Sequence, residues 1–283
     1  MPELPEVEVL ARQLAPLLLN RTIRAVRVRR IKVLAPTPEG KFKRALRGAK
    51  FLGLRRRGKY LLFNLRAKTG QPLTLLGHLG MTGRMYLSPA KTPWPKHAAV
   101  VLDLGRENFI YEDTRYFGRL TLDTSAIANL GPEPLADEFS LEKFAVALKR
   151  SAQPIKVKLL DQSVVAGVGN IYASEALFRA SISPRVAAWR LKPAQLVRLR
   201  RAVRVTLAEA IERGSTIPLN YTGAGKRDGL FYFGRAPGAP DFYAERLQVY
   251  DRAGEPCRKC GTAIKRLVQA ARSTFYCPRC QRG

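Results

Sequence analysis

The chain has 283 residues, with 50 lysines and arginines against 22 aspartates and glutamates and a formal net charge of +28. At about 150 residues per domain, this length predicts two domains with an ample apolar core. The charge indicates a polyanionic partner, either nucleic acid or an anionic membrane face. No apolar run approaches the roughly 20 residues of a spanning helix, which argues against a membrane partner. Neither a lipidation motif nor a signal-peptide pattern is present, so we expect a cytoplasmic protein.

The first predicted element is a helix close to the N-terminus. Pro5 and Glu6 suit the first turn of a helix. Apolar residues then recur at helical spacing, at Leu4, Val7, Ala11 and Leu14. We expect Pro16 to end this helix, because proline cannot donate the hydrogen bond that continues it.

The same stretch, MPELPEVE, also has the groups that a covalent catalyst needs. If Met1 is removed, Pro2 presents a secondary amine that can attack an aldehyde carbon and form a cationic iminium. The neighbouring Glu3 could then move protons. An ordinary helix start accounts for Pro5 but not for Pro2 and Glu3, so both interpretations stay open at this point.

The region from residue 21 to about residue 122 consists mostly of short β-like runs separated by glycine and proline. Their richness in aliphatic and aromatic residues predicts a β-sandwich, interrupted by a short helix at residues 42–46. The predicted strands are Arg21–Ile31, Phe51–Arg56, Tyr60–Leu65, Leu73–Leu79, Ala98–Leu104 and Asn108–Tyr111.

Three loops of this region stand outside the strand pattern. The turn at residues 55–60, RRRGKY, concentrates cations, and composition alone favours a solvated basic turn. In the loop at residues 77–83, Met81 lies among glycines and either folds back into the core or is exposed. The loop at residues 113–118 places Arg115 near Phe117. The only two histidines of the chain lie at positions 78 and 97, and an isolated histidine is more often a packing residue than a ligand.

A linker and a helical region follow. The breakers in Asn129–Leu135 indicate the linker, and the periodicity beyond it predicts helices over Phe139–Lys149, Ile155–Leu160, Asn170–Ala180 and Pro193–Arg213. Within this region, the string GVGNIYASE at residues 167–175 offers Asn170 as a helix cap. Free amides at the start of that helix would favour an anion such as phosphate. An ordinary capped helix is the alternative.

All four cysteines fall in one pattern at the C-terminal end of the sequence, with two C-x2-C pairs separated by 16 residues: Cys257, Cys260, Cys277 and Cys280. Such spacing is typical of a tetrahedral four-cysteine zinc site. Two disulfides are the alternative, which a reducing compartment disfavours. Four thiolates leave no coordination position for water, so we expect a single structural Zn²⁺ rather than a catalytic one.

These motifs, taken together, resemble the bacterial formamidopyrimidine-DNA glycosylases, which excise oxidised purines and then cut the DNA backbone. The resemblance covers nearly the whole chain. It implies an α+β fold with an N-terminal β-sandwich and flanking helices, a C-terminal helix-two-turn-helix domain and a zinc-finger β-hairpin. The predicted boundaries are 1–128 for the catalytic sandwich, 129–138 for the linker, 139–245 for the helical domain with a lesion-capping loop, and 246–283 for the zinc finger.

The resemblance also implies roles for individual residues. Pro2 matches the nucleophile, Glu3 the proton shuttle, and Lys59 a lysine at the lesion phosphate. Glu6, one helical turn from Glu3, is expected to position the amine. Side chains that fill the space of the extruded base are Met81, Arg115 and Phe117, so we call residues 77–83 and 113–118 the wedge loops. Further DNA contacts are expected from His97, Lys156, Asn170 and Arg272.

This chain departs from the family pattern in three places. Thr114 stands where the family usually has proline, and Tyr116 stands where it usually has a second arginine, which leaves the phosphate contact expected from that arginine without its usual side chain. The segment 215–245 is longer than the common lesion-capping loop and its letters differ.

We therefore predict a base-excision-repair glycosylase with β,δ-elimination lyase activity. We expect it to bind damaged double-stranded DNA as a monomer, in the bacterial cytoplasm and associated with the nucleoid through DNA. The nearest alternative is the sibling class for oxidised pyrimidines, whose sequences usually carry glycine where this chain has Leu4. Two non-catalytic classes would share the basic surface: a zinc-ribbon regulator and a nonspecific architectural DNA binder.

Overall fold

The computed structural model describes residues 2–214 and 247–282. Contacts among them define two compact units. The first comprises Pro2 and residues 6–128, and the second comprises residues 3–5, 129–214 and 247–282. Sheets dominate the first unit and helices the second, which confirms the predicted α+β class.

Two four-stranded antiparallel sheets form the core of the first unit. One has the strand order β1 (Ala25–Val28), β6 (Ala98–Asp103), β7 (Glu107–Asp113) and β5 (Gly83–Pro89). The other has the order β2 (Lys50–Arg57), β3 (Tyr60–Arg66), β4 (Pro72–His78) and β8 (Arg119–Thr121). The sheets meet through Phe63 and Phe109, whose rings pack edge to face with centroids 5.6 Å apart. The predicted sandwich is thus confirmed.

Two helices flank the sandwich, α1 (Leu4–Leu18) and α2 (Glu39–Leu46), and a short 3₁₀ helix spans Ile31–Leu34. The prediction that Pro16 ends α1 is wrong, because the Leu19 N–H still donates to the Ala15 carbonyl at 3.1 Å. Pro16 lies exposed in the last turn and removes a single hydrogen bond, while Leu18 is buried in the sandwich core. Burial of a leucine contributes about 2 kcal/mol, enough to hold one turn.

The strand prediction missed β5 and β8 and overextended β1. Four successive residues of β5 are buried, Met85–Ser88, so polar and apolar side chains do not alternate there. The three residues of β8 are too few to show any period. The predicted strand over Arg21–Ile31 reduces to Ala25–Val28, since only these residues pair with β6.

The second unit contains α3 (Leu141–Lys149), α4 (Ile155–Leu159), α5 (Asn170–Arg179), α6 (Pro193–Gly214) and a hairpin of β9 (Lys265–Gln269) and β10 (Arg272–Tyr276). Helix α5 packs on the hairpin region through a small apolar cluster that includes Phe178, Val249 and Phe275. The four predicted helices and the expected zinc-finger β-hairpin are confirmed, although the helix ends differ from the predicted bounds. Over the described ranges, no helix combines the length and apolar character needed to cross a bilayer.

Candidate functional site

The basic turn between β2 and β3 is only partly exposed, because Arg55 faces solvent while Gly58 and Lys59 are buried. Gly58 has a φ of 57°, a left-handed conformation that costs glycine little, and it reverses the chain within two residues. The next residue, Lys59, is only 7% exposed. Below the turn, the Arg56 guanidinium donates to the Glu8 carboxylate at 2.7 Å and to the Gly58 carbonyl at 3.1 Å. The expectation of a solvated turn is therefore wrong for Lys59.

His78 is the last residue of β4 and the second residue of the first wedge loop. Its Nδ1 accepts the Gly80 N–H at 3.2 Å, which places the ring proton on Nε2. Burial and the charges of Lys59 and Arg119 lower the pKa of His78 to about 4, against a smaller opposing effect of Asp113. The ring is therefore neutral at pH 7 and fixes the backbone of the loop that follows.

This neutral histidine predicts a loss of stability in acid. The pKa of His78 is about 4 in the folded protein and near 6.5 in the unfolded chain. Between these two pH values the unfolded chain binds a proton that the folded protein does not. The stabilising contribution of neutral His78, up to about 3 kcal/mol, is therefore complete above pH 6.5 and lost as the pH falls through 4. Urea unfolding at pH 4.5 and pH 7 should show a smaller difference for His78→Gln than for the wild type. Equal differences for the two proteins would contradict this role.

The wedge loops bring three predicted side chains together on the surface of the first unit. Met81 is 39% and Phe117 49% exposed, so Met81 does not fold back into the core. The exposed Arg115 stacks on Phe117, with its guanidinium carbon 4.8 Å from the ring centroid. The loops touch backbone to backbone, since a Cβ on Gly80 would lie 2.5 Å from the nitrogen of Gly118.

Tyr116 does not join this exposed group. It is held at a φ of 52° and packs partly buried against the sandwich core. The guanidinium carbon of Arg30 lies 5.2 Å from its ring centroid, and its hydroxyl lies 3.4 Å from Nδ1 of His97. His97 therefore meets the second wedge loop through Tyr116, and its predicted DNA contact stays a prediction.

The Glu3 carboxylate, one of the predicted catalytic groups, accepts three backbone N–H groups at the start of α5. Its oxygens accept N–H groups from Gly169 at 2.8 Å, Ile171 at 2.8 Å and Tyr172 at 3.2 Å. A Cβ on Gly169 would lie 2.3 Å from the carboxyl carbon of Glu3, so only glycine fits there. Three N–H donors at a helix N-terminus stabilise the ionised carboxylate. Of the other groups, Pro2 is buried, and Glu6 lies half-buried in the first turn of α1.

The start of α5 therefore differs from the sequence-based expectation. Two of the amides that were expected to be free for an anion already bind Glu3. Asn170 is not the cap, because the cap position falls on Gly169 and no side chain caps the helix. The side chain of Asn170 instead donates from Nδ2 to the Ser273 carbonyl at 3.0 Å.

Lys156 links α4, α5 and the hairpin. Its side chain is 0% exposed, and Nζ donates to Asn170 Oδ1 at 2.6 Å, the Ser273 carbonyl at 2.8 Å and Thr274 Oγ1 at 2.7 Å. Burial lowers its pKa to about 8; the positive charge of Arg272 adds to this effect and the carboxylate of Glu3 opposes it. Lys156 thus holds the side chain of Asn170 in one orientation through its hydrogen bond to Oδ1. Whether either residue contacts DNA stays a prediction.

The four cysteines form a site for one structural zinc ion. Their sulfur atoms all lie within 4.8 Å of one another, with Cys257–Cys280 at 3.9 Å and Cys260–Cys277 at 3.5 Å. Zn–S bonds of about 2.3 Å in a tetrahedron require sulfur atoms about 3.8 Å apart, so these positions fit the ion. The same distances exceed the roughly 2.05 Å of a disulfide, and all four cysteines are free. The disulfide alternative is therefore rejected.

The turn of the zinc hairpin is strained. Ala270 and Ala271 join β9 to β10 with φ values of 46° and 57°, and alanine disfavours both. Two left-handed residues in a two-residue hairpin turn are typical of type I′, for which Asn-Gly is the preferred pair. The turn presents Arg272, the first residue of β10, as an exposed side chain.

Replacing this turn should stabilise the protein. In the double variant Ala270→Asn/Ala271→Gly, both residues adopt left-handed conformations with less strain, and we expect a gain of about 1–2 kcal/mol in unfolding free energy. Differential scanning calorimetry of the zinc-loaded protein measures it. Pro256→Ala, outside the turn, is not expected to reproduce the gain. A lower Tm in the double variant would contradict the strain argument.

Sequence reasoning missed two buried carboxylates. Asp113 is fully buried at the base of the wedge loops. Glu175, on α5, accepts N–H groups from Gln248 at 2.8 Å and from Val249 and Tyr250 at 2.9 Å, which ties the helix to the segment that leads into the zinc site. Asp113 ends a strand, where aspartate often accepts N–H groups of the following loop, and this signal was available. The bonds of Glu175 have no local signal, since its partners lie more than 70 residues away.

The predicted lesion-capping loop, 215–245, lies outside the described residues.

Comparison with known proteins gives full-length similarity. Three family models match, described as the formamidopyrimidine-DNA glycosylase N-terminal domain (residues 1–120), the formamidopyrimidine-DNA glycosylase H2TH domain (130–220) and a zinc finger found in FPG and IleRS (254–283). A formamidopyrimidine-DNA glycosylase of Symbiobacterium thermophilum is 42% identical over 99% of this chain and 89% of its own length. One of Carboxydothermus hydrogenoformans is 38% identical over 100% of both chains.

Solved structures agree with these relatives. The Lactococcus lactis formamidopyrimidine-DNA glycosylase bound non-covalently to DNA with an AP site matches with a TM-score of 0.85 and 30% identity, over 99% of this chain and 100% of that chain. A mutant of the Lactococcus lactis protein in complex with DNA containing Fapy-dG matches with a TM-score of 0.85 and 31% identity over 100% of both chains. The similarity therefore extends over both units.

Proposed function

Because this chain belongs to the formamidopyrimidine-DNA glycosylase family, we propose that it excises oxidised purines from duplex DNA and then cleaves the backbone as a lyase. The observation that carries the proposal is the anchored carboxylate of Glu3, which accepts three backbone N–H groups. It fixes the residue that is peptide-bonded to Pro2, the proposed nucleophile. The complexes of similar proteins with AP-site DNA and Fapy-dG DNA support this substrate class.

In the proposed first step, the neutral Pro2 nitrogen attacks the sugar C1′. A nitrogen–carbon bond forms, the bond from C1′ to the base breaks, and the base leaves with the electron pair and takes a proton. Glu3 starts ionised, as its three N–H bonds favour, so it can accept the proton that the attacking nitrogen must lose. Transfer of this proton to the ring oxygen opens the sugar and leaves an iminium between Pro2 and C1′.

The proposed lyase steps use that iminium as an electron sink. It acidifies C2′, whose proton is lost while the 3′ carbon–oxygen bond breaks and releases the 3′ phosphate. Loss of the C4′ proton then allows the 5′ carbon–oxygen bond to break and release the second phosphate. We place Lys59 beside the lesion phosphate and assign Glu6 to positioning the amine. Water finally hydrolyses the remaining iminium and regenerates Pro2.

Base extrusion is assigned to the wedge loops. Removing a base from the duplex costs a few kcal/mol in pairing and stacking, and the exposed Met81, Phe117 and Arg115 are suited to recover part of it. We propose that His97, Asn170 and Arg272 contact DNA phosphate, and that Lys156, whose three N–H donors already bind protein acceptors, acts on DNA through Asn170. The net charge of +28 supplies the attraction to the DNA backbone.

An excision assay on three duplexes tests the substrate class. One carries 8-oxoguanine, one an oxidised pyrimidine and one an abasic site, each with the same flanking sequence. The proposal predicts excision of 8-oxoguanine with strand products that carry phosphate at both ends of the gap. Preferential excision of the pyrimidine would establish the sibling activity instead. Binding without excision or cleavage of any duplex would point to a non-catalytic DNA-binding protein.

Salt dependence tests the proposed contact of Arg272. Each neutralised phosphate contributes about −0.9 to the slope of log affinity against log salt. We expect Arg272→Met to flatten the slope by about one for a lesion duplex, measured by fluorescence anisotropy from 50 to 300 mM KCl. The control is Arg106→Met, an exposed arginine outside the proposed interface. Equal slopes for Arg272→Met and wild type would remove this contact.

The compartment, the monomeric state and the domain boundaries remain predictions. Sedimentation of the protein alone and with a duplex measures the number of chains in each complex. We expect one chain per lesion.

A further inference from the structure

The wedge loops converge on one buried carboxylate. Asp113 is the last residue of β7 and is 0% exposed. One of its oxygens, Oδ1, accepts the Thr82 hydroxyl at 2.6 Å and the Arg115 N–H at 3.1 Å. The other, Oδ2, accepts the Gly118 N–H at 2.9 Å and the Tyr111 hydroxyl at 3.4 Å. Four donors from both loops and from β7 therefore meet at a single side chain.

The two loops have little independent freedom at this point. Thr82 lies one residue after Met81, and its hydroxyl also accepts the Arg115 N–H at 3.3 Å. A Cβ on Gly118 would lie 2.0 Å from the Tyr111 hydroxyl oxygen and 2.4 Å from the His78 carbonyl oxygen. Burial and the charge of Asp113 raise the pKa of Tyr111, so its hydroxyl keeps its proton and donates.

A buried carboxylate with this arrangement is costly unless its hydrogen bonds are complete. Hydrogen bonds to an ionised group contribute about 1.5–3 kcal/mol each, and an unsatisfied buried charge costs more. The four donors offset that cost only when both loops take the observed arrangement. The carboxylate thereby selects one mutual arrangement of Met81, Arg115 and Phe117.

We propose that Asp113 is a positioning residue for base extrusion, which locks the two wedge loops into one rigid unit before DNA is bound. This deepens the proposed function and rests on it. Asp113 touches neither the reacting sugar nor the lesion in this proposal. It acts by preorganising the side chains that replace the extruded base, and so lowers the cost of ordering them on DNA.

Two substitutions test the carboxylate and its donor separately. Asp113→Asn keeps the shape of the side chain but replaces one carboxylate oxygen with an NH₂ group. That NH₂ group would then face the two donors that the oxygen accepts in the wild type. Thr82→Val keeps the volume and removes only the hydroxyl that joins the first loop. Thr82→Ser restores that hydroxyl and serves as the matched control.

The experiment compares single-turnover rates on two duplexes, one whose damaged base must be extruded and one that has no base to extrude. On an 8-oxoguanine duplex we expect Asp113→Asn to slow excision at least about tenfold and Thr82→Val about threefold to tenfold, with Thr82→Ser near wild type. Cleavage of a duplex with a preformed abasic site, which has no base to extrude, should change less than about twofold. Equal losses on both duplexes, or no loss on either, would overturn the positioning role.

Hydrogen–deuterium exchange keeps the inference separate from the activity. We expect faster exchange at residues 79–83 and 114–118 in Asp113→Asn and Thr82→Val, with β6 and β7 as protected as in the wild type. If the wild type excises nothing, the proposed function fails, but this exchange pattern still decides whether Asp113 locks the loops. Unchanged exchange in both variants would overturn the inference.

Discussion

Relative to protein from which Met1 has been removed, a protein that keeps one residue before Pro2 is expected to lose base excision by at least about a thousandfold. The extra peptide bond turns the Pro2 nitrogen from a secondary amine into an amide, which cannot act as the nucleophile. Losses of this size, about 4 kcal/mol in activation free energy or more, are typical when a covalent catalyst loses its nucleophile. The extension leaves every other side chain unchanged, and DNA affinity should stay within a few-fold of the wild type.

Borohydride trapping gives the direct measurement. Incubation with an abasic duplex and borohydride reduces the iminium to a stable covalent adduct, which appears as a shifted band on a denaturing gel. The reference protein must have Met1 removed, as checked by mass spectrometry. We expect full adduct from this protein and none from the extended one. Undiminished adduct from the extended protein would show that another amine is the nucleophile.

Two further variants separate the amine from its neighbour. Pro2→Ala retains a terminal amine, so a weakened adduct is compatible with the mechanism, whereas the extension removes the amine altogether. Glu3→Gln keeps the amine but cannot take up the proton. It also places an amide group against the three N–H donors of α5. We expect Glu3→Gln to lose excision more than adduct formation with a preformed abasic site, where no base has to leave.

Loss of zinc is the second large effect that we expect. In Cys277→Ala, three thiolates remain, and the folding free energy that a structural zinc supplies, about 10–16 kcal/mol, is largely forfeited. Without the hairpin, Phe178 is uncovered and Lys156 loses the Ser273 carbonyl and the Thr274 hydroxyl as acceptors. We therefore expect local unfolding of residues 254–282 and at least about tenfold weaker binding to a lesion duplex.

Three measurements test these consequences. Native mass spectrometry measures the bound zinc, limited proteolysis measures the unfolding of the segment, and fluorescence anisotropy measures the affinity for DNA. Wild type should carry one zinc and resist cleavage in this segment, and Cys277→Ala should carry none and be cleaved there. Ser273→Ala, in the same hairpin but outside the metal site, is the matched control and should keep its zinc. A Cys277→Ala protein that resists proteolysis would show that the hairpin folds without the ion.

The link from zinc to Lys156 gives the hairpin a role beyond presenting Arg272. A positive charge with 0% exposure needs its acceptors, and two of the three come from the hairpin. The third is Asn170, which lies on α5. The folded hairpin therefore supports the orientation of Asn170 in two ways, through Lys156 and directly through the Ser273 carbonyl.

Local sequence signals were enough to predict several parts of this protein. The spacing of Cys257, Cys260, Cys277 and Cys280 encodes a metal site because four nearby thiolates suit one ion. The helices of the second unit follow from periodicity, and two motifs, MPELPEVE at residues 1–8 and GVGNIYASE at residues 167–175, indicate the family. The sandwich followed from strand composition, although β5 escaped because four of its residues in a row are buried.

Contacts between residues far apart in the sequence could be identified only in the folded chain. Glu3 meets the start of α5 more than 160 residues away, and this contact, rather than a free anion site, occupies the amides of Ile171 and Tyr172. Asp113 looks like any aspartate after a strand until both wedge loops are seen to donate to it. The reason is physical: a buried charge is stable only where distant backbone and side-chain donors converge, and convergence is a property of the folded chain.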